Sequence, residues 1–419
     1  MNLKLYSILS HLVFFSLPIV ATFKGKGTVV LVFILLLMHM KTLWINGYAL
    51  KQKWKILLKT PLGFFAIGFI LWMLLSAFWA PHTIKALFNA VRYTVLVGSG
   101  FLLYLSVELE TETKKQTLLK AFQKGFLFYI AFFLSEIYIF PLASRLYTDA
   151  LYMDKLLFIK GIVNLGFLFW PFLLLCLKHY PSQGFRKISF ISFGILSLIL
   201  FKASPDAARI GIILSTCGAF IVHRRPKIAH VAAAFFTLFA LTAPWVMKHE
   251  LLSTKLGECY YYLPSSYQHR VQIWEAMSQE ALKKPIFGHG FDHSTTLSNG
   301  KIFESKKITP YFDASSKTVQ TTISPFSTTI FSSHPHNGII QIWAELGIVG
   351  IILFLGILWA LTMRIAHIEN TRKRACSFGL LLFYEVIHLV GHGLWQKWIC
   401  ATIILSILGF YLSEHQKKS

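Results

Sequence analysis

The segment NGIIQIWAELGIVGIILFLGILWALTM, residues 337–363, decides the fold. A bilayer core about 30 Å thick needs roughly 20 mainly apolar residues per helical crossing. This run exceeds that length, and only Gln341 and Glu345 interrupt it, both near its start. Working outward, comparable runs recur near 6–22, 27–44, 62–80, 91–107, 120–141, 159–177, 187–202, 208–223, 229–246, 375–392 and 395–413. The runs are continuous and do not alternate in ten-residue blocks, which excludes a lipid-facing barrel; in lipid the backbone must then satisfy itself as helix. With 55% hydrophobic residues and a mean hydropathy of +0.58, the 419-residue chain is too apolar for an ordinary soluble domain. The expectation is an all-α polytopic membrane protein of about twelve transmembrane helices. Its one large loop carries an amphipathic helix.

The organisation expected is an N-terminal bundle over 1–246, a loop domain over 247–336 and C-terminal transmembrane helices over 337–419. Short-loop basic residues set orientation. One set of loops carries Lys51, Lys53, Lys55 and Lys59, then Lys114, Lys115, Lys120 and Lys124, then Lys178, Arg186 and Lys187. The same side continues with Arg224, Arg225 and Lys227, then Arg364, Arg372, Lys373 and Arg374, and ends at Lys417 and Lys418. The opposite loops hold about half as many, for example Lys24, Lys26, Lys85 and Arg92. Both termini are therefore expected in the cytoplasm and the long polar segment outside, in a periplasm. The formal charge of +23 is explained by these loops and by anionic headgroups, so no nucleic-acid partner is expected. The five cysteines are scattered, with no CxxC and no disulfide framework. The first apolar stretch reads as an uncleaved helix because further spans follow it.

Within the polar segment, Ser266–Leu282 places Val271, Trp274, Met277 and Leu282 at helical spacing. It reads as an amphipathic helix on the membrane surface or packed on the bundle. Pro285 to Phe291, PIFGHGF, ends it in a loop, and the Ser/Thr-rich stretch 296–333 reads as a lid or surface loop.

Three features carry chemistry. Ser204-Pro205-Asp206 starts a helix that puts Arg209 near its first turn, where the positive end of the helix dipole and partial desolvation both oppose a cation. Either it pairs with Asp206 or snorkels, or it binds something negative such as a phosphate. Arg270 lies at the start of the loop helix, and an arginine fork beside helix N–H groups suits phosphate oxygens. The sharpest feature runs from Ser333 to Gly347. Asn337, Gln341 and Glu345 recur at i, i+4 and i+8, forming one polar stripe that faces the protein interior or a wet cavity. His336 stands at its mouth as the candidate base near neutral pH. His334 and His336 flank a proline, without the spacing of a metal site. His289 and His293 are four apart, but Gly290 breaks the helix that would align them, so no metal is expected. Lys397, next to Trp395 and Trp398, reads as an interfacial anchor or a further cation near phosphate. No Walker, GxSxG, HExxH or dinucleotide fingerprint is present.

These residues together resemble the O-antigen ligase family, which shares a domain with O-antigen polymerases and bacterial oligosaccharyltransferases. The resemblance rests on HPHN-x₃-Q-x₃-E-x-G at 334–347, on Arg270 with Trp274, on PIFGHGF at 285–291 and, more loosely, on Arg209. The family often has Thr or Ser before that arginine; here it is Ala208. The resemblance implies an inner-membrane glycosyltransferase of lipopolysaccharide biosynthesis. It would move O-antigen polysaccharide from undecaprenyl diphosphate to the lipid A–core oligosaccharide, with no cofactor, metal or nucleotide. Carried onto this chain, Arg209, Arg270, Lys397 and His334 would hold the diphosphate and substrates, with Asn337 and Gln341 orienting them. His336 would deprotonate the acceptor hydroxyl. With no carboxylate nucleophile beside that base, displacement would invert the anomeric carbon. The competing expectations are an O-antigen or exopolysaccharide polymerase and, in a different class, a transporter of lipid-linked oligosaccharide.

Overall fold

The computed structural model describes residues 2–23, 26–139, 154–179, 194, 206–248, 265–297, 302–313, 318–329 and 335–414. Helices α1 (Leu3–Phe23), α2 (Gly27–Ile45), α3 (Gly47–Leu58), α4 (Pro61–Ser76), α5 (Thr83–Glu108) and α6 (Glu112–Leu134) come first. They are followed by α7 (Asp154–His179), α8 (Asp206–Arg224), α9 (Ile228–Lys248) and α10 (Ser265–Lys283), and the chain closes with α11 (Gly338–Ala366), α12 (Thr371–Val390) and α13 (Lys397–Glu414). Ten of the described helices are long and apolar enough to cross a membrane, making this a multi-pass helical membrane protein. The twelfth-count expectation is not reached among the described residues. The run at 187–202 lies outside them, apart from Gly194, and α12 is not among the ten. That helix carries Arg372, Lys373, Arg374 and Glu385, which dilute its apolar character.

Between α10 and α11 lies the one departure from an all-helical fold among the described residues. Strands β1 (Ile302–Asp313) and β2 (Thr318–Thr329) pair antiparallel, with Ile302 opposite Thr329 and Asp313 opposite Thr318. This hairpin occupies most of the stretch expected to be a loop.

Packing follows two large clusters and a small third one around Val222, Ala229 and Phe378. One of the large clusters joins α1, α2, α5, α6, α7 and α13 around Phe14, Phe122, Tyr129 and Trp170. The other joins α4, α9, α10 and α11 around Met73, Ile273, Met277 and Trp343. The amphipathic α10 therefore lies on the bundle, and its apolar face belongs to the same core as the spans. Without a hydrophobic drive between helices in lipid, small residues permit close approach. A Cβ on Gly379 of α12 would stand 2.3 Å from the Trp170 ring of α7, and one on Gly166 would stand 2.4 Å from the Phe383 ring.

The basic loops collect at one end of the bundle. There Arg372 donates to the Leu177 carbonyl at 2.6 Å, and Arg374 donates to the carbonyls of Val222, His223 and Ile368 at 3.3, 3.2 and 2.9 Å. Lys373 pairs with Glu414, and Lys53 of the exposed α3 pairs with Glu108. The opposite end holds α10, the loop after it and the entry to α11.

Candidate functional site

The site is framed by a break in a membrane helix. Gly347 interrupts α11 with φ 64° and ψ −163°. Such a break frees backbone groups that lipid cannot satisfy. The PIFGHGF loop takes them up. Ile348 N–H donates to Pro285 C=O at 2.8 Å, while His289 and Gly290 N–H groups donate to the carbonyls of Ala344 and Glu345 at 2.8 and 2.9 Å. The Leu346 carbonyl accepts from the Trp72 indole of α4 at 2.9 Å. Only glycine fits this crossing. A Cβ on Gly347 would lie 2.2 Å from the Ile286 carbonyl oxygen, and one on Gly288 (φ 70°) would lie 2.4 Å from the backbone of Glu345. Every residue from Gly338 to Gly347 is buried, whereas beyond the break only one face is, through Gly350, Ile351, Phe354, Leu355, Leu358 and Thr362.

The polar stripe expected at this entry is present and points into protein. Asn337 caps α11, its Oδ1 accepting from the N–H groups of Ile339 and Ile340 at 3.0 and 3.1 Å. Gln341 accepts from Leu394 N–H at 2.9 Å and donates to Glu345 at 3.0 Å and to Ser294 Oγ at 3.3 Å. Fully buried Glu345 also accepts from Ser294 Oγ (2.5 Å), Asp292 N–H (3.0 Å) and the Trp395 indole (2.6 Å). The stripe thus ties α11 to the loop after α10 and to the 391–396 turn. Both side chains are buried: the Asn337 oxygen holds a helix end, and Gln341 holds the loops.

His336 sits at the mouth with a left-handed backbone, φ 54°. Histidine tolerates this region better than most residues, yet the conformation costs about 1–3 kcal/mol and persists only where neighbours enforce it. Two contacts do so. The Trp274 indole of α10 donates to the Pro335 carbonyl at 3.1 Å, and His336 Nδ1 lies 2.7 Å from the Gly391 carbonyl oxygen. A carbonyl only accepts, so Nδ1 carries the proton and the neutral ring keeps its lone pair on Nε2. Burial pushes the His336 pKa below its usual 6.5, and the charges of Arg270 and His269 push it further down, against the raising effect of the Gly391 bond. Arg270 is thus close enough to His336 to be felt electrostatically. Its guanidinium also lies 5.3 Å from the Tyr267 ring centre.

Arg209 reaches the same end through α8. Ala207, two residues before it, packs against Gly391, where a glycine Cβ would stand 3.0 Å from the Ala207 Cβ. The Gly391 turn therefore touches both His336 and the first turn of α8. Lys397 donates to Asn89 Oδ1 at 3.3 Å, while Asn89 donates to Asp292 at 3.0 Å; Arg92 and Lys26 lie within electrostatic reach of it. His334 lies outside the described residues.

Several residues that build the site escaped sequence reasoning. Trp395 and Ser294 bind Glu345 from distant segments, and His269 is the second group whose field lowers the His336 pKa. His289 and His293 are brought together after all, with rings stacked at 4.5 Å and 13° between planes, because the Gly290 turn and a short 3-10 turn bring them face to face. Burial, and then the neighbouring His289, lower the His293 pKa to about 4.

A kinked span, a loop helix and a histidine beside an arginine at one end of a helical bundle define a membrane-embedded protein with a built site at its surface. Comparison with known proteins places it further: residues 161–355 match the family described as O-Antigen ligase, and this segment carries that family's domain. The matched stretch spans Arg209, Arg270 and His336. Similar proteins include a "Putative polysaccharide ligase" of Rickettsia conorii, 25% identical over 336 residues, covering 79% of this chain and 74% of that protein. Another, from Rickettsia felis, is 25% identical over 338 residues, covering 79% and 75%. A third, from Rickettsia prowazekii, is 24% identical over 341 residues with the same coverage.

Proposed function

We propose that the protein is a glycosyltransferase of the O-antigen ligase type, moving a polysaccharide from undecaprenyl diphosphate to a sugar hydroxyl of lipid A–core on the periplasmic face of a bacterial inner membrane. The observation that carries the reading is His336, held by Gly391 with its lone pair on Nε2 and set beside Arg270 at the end away from the basic loops. The excess of basic residues at the other end supports cytoplasmic termini and a periplasmic site.

In the reaction, Nε2 of His336 accepts the proton of the acceptor hydroxyl. That oxygen forms the new bond to the anomeric carbon as the bond from that carbon to the diphosphate oxygen breaks. The glycosidic configuration inverts, and undecaprenyl diphosphate leaves with the electron pair. Arg270 and Arg209 take up the charge on the diphosphate, with Lys397 and His334 as further contacts. The scheme asks for no nucleotide or metal in the chemical step, since the diphosphate is already a good leaving group and the protein's cations offset its charge.

Deletion of the gene tests it. Loss of the protein should leave lipopolysaccharide with bare core while polymer accumulates on its carrier lipid. Core bearing a single repeat would instead make the protein a polymerase, and precursor trapped inside the cell would make it a transporter; either result overturns the ligase reading.

A further inference from the structure

Apart from the transfer site, one cluster in the loop that follows α10 is built like a ligand set. Glu280, in the last turns of α10, and His289 and His293, beyond it, each present a ligand atom, all within 4.8 Å of one another. Two of the three are held in place. His289 Nε2 donates to the Glu280 backbone carbonyl at 3.0 Å, and His293 Nδ1 lies 3.2 Å from Thr296 Oγ1. The independent observation is His293 Nε2. The residue is only 7% exposed, and this nitrogen is buried without a hydrogen-bond partner among the described residues. An orphaned buried nitrogen is uncommon, because such groups almost always find a partner. A metal ion at this point would satisfy it.

We propose that Glu280, His289 and His293 bind one divalent first-row transition metal of the Zn²⁺ class, as a clasp between the end of α10 and the loop after it. Two imidazoles and one carboxylate are the donor set of zinc-type sites, with a fourth position left for water. Imidazole donors disfavour Mg²⁺ and Ca²⁺, which take oxygen ligands. Zinc–nitrogen bonds of about 2.0–2.1 Å put tetrahedral ligands roughly 3.4 Å apart, so the imidazoles would swing out of their stack and the cluster would tighten by little more than 1 Å. Lys283, which donates to Glu280 at 2.6 Å, would yield one carboxylate oxygen. The clasp would join the end of α10 to the turn whose N–H groups satisfy the broken backbone of α11 at Ala344 and Glu345. It supplies no step of the transfer, and stands whether or not the proposed transfer is correct.

The test uses the full-length, tag-free protein in detergent, stripped with EDTA and titrated with Co²⁺ and with Zn²⁺. We expect one equivalent to bind saturably, with a tetrahedral Co²⁺ absorption band that Zn²⁺ displaces, and a rise in thermal unfolding temperature on adding Zn²⁺. His293→Gln and His289→Gln should each weaken binding at least tenfold and abolish the band. The wild-type titration stands alone: absence of saturable one-to-one uptake overturns the proposal, whether or not the variants fold. Variants that bind as tightly as wild type, each checked for an unchanged elution profile, assign the metal to other histidines and overturn it equally.

Discussion

His336 combines a strained backbone with a fixed tautomer and a cationic neighbour in Arg270, and these fix its expected behaviour in solution. Protonation is disfavoured first by burial, then by repulsion from Arg270 and His269. The ring is therefore neutral at neutral pH, and a base of this kind loses activity only as pH falls through its depressed pKa. The acid limb of kcat/KM should lie below the ordinary imidazole value of about 6.5. Arg270→Gln removes a repelling charge and so raises the His336 pKa, moving that limb to higher pH as well as slowing transfer. A limb that stays put in the variant would separate the two residues. His336→Ala should cut transfer by roughly 10²–10⁴-fold, the usual worth of a positioned base, while the protein still inserts and accumulates. Near-wild-type turnover would remove His336 from the mechanism. These side chains were legible from type and spacing. The left-handed turn and the Gly391 partner, 55 residues away, were not, because no local pattern reports a contact across the fold.

Among the elements, α11 and the loop after α10 work as one unit. Glu345 accepts from four partners, on Ser294, Asp292, Gln341 and Trp395, and each buried donor left alone costs about 1–3 kcal/mol. Glu345→Ala should therefore lower the unfolding temperature in detergent by roughly 5 °C or more. Glu345→Gln should also destabilise, since its amide NH₂ would face donors. Melting at the wild-type temperature in both would show that the carboxylate is not the tie described above. Gly347→Ala and Gly288→Ala should each destabilise by about 1–3 kcal/mol, because both positions combine positive φ with a carbonyl in contact distance. Denaturation monitored by Trp fluorescence would measure this. The break at Gly347 was invisible in a run that reads as one continuous helix, since the PIFGHGF backbone that takes up its freed groups comes from another segment. The hairpin was hidden differently. Its strands carry Pro310 and Pro325 among many Ser and Thr residues, a composition typical of loops, and only their mutual pairing makes them strands.

For the whole molecule, the apolar runs foretold nearly all of the described spans, because length and continuity suffice to demand helix in lipid. The run at 375–392 also falls on a helix, α12, whose charged start keeps it outside the ten and whose Arg374 is satisfied by carbonyls of α8 and of the turn before α12. Orientation is the prediction that belongs to this scale. With the basic loops inside, a membrane-impermeant thiol reagent should label Lys283→Cys from the periplasmic side of intact cells in a background lacking the native cysteines, and should label Lys59→Cys only after lysis. The reverse pattern would invert the protein and put the proposed donor on the wrong face. The division of α11 also sets a height. Residues 348–366 rise about 28 Å at 1.5 Å each, a full hydrocarbon thickness, and 338–346 add about 13 Å more. The broken helix acts as a ruler with a shelf on top: in the proposed transfer, oily tails of two substrates would stay in the membrane while their sugars and phosphates meet one step above it.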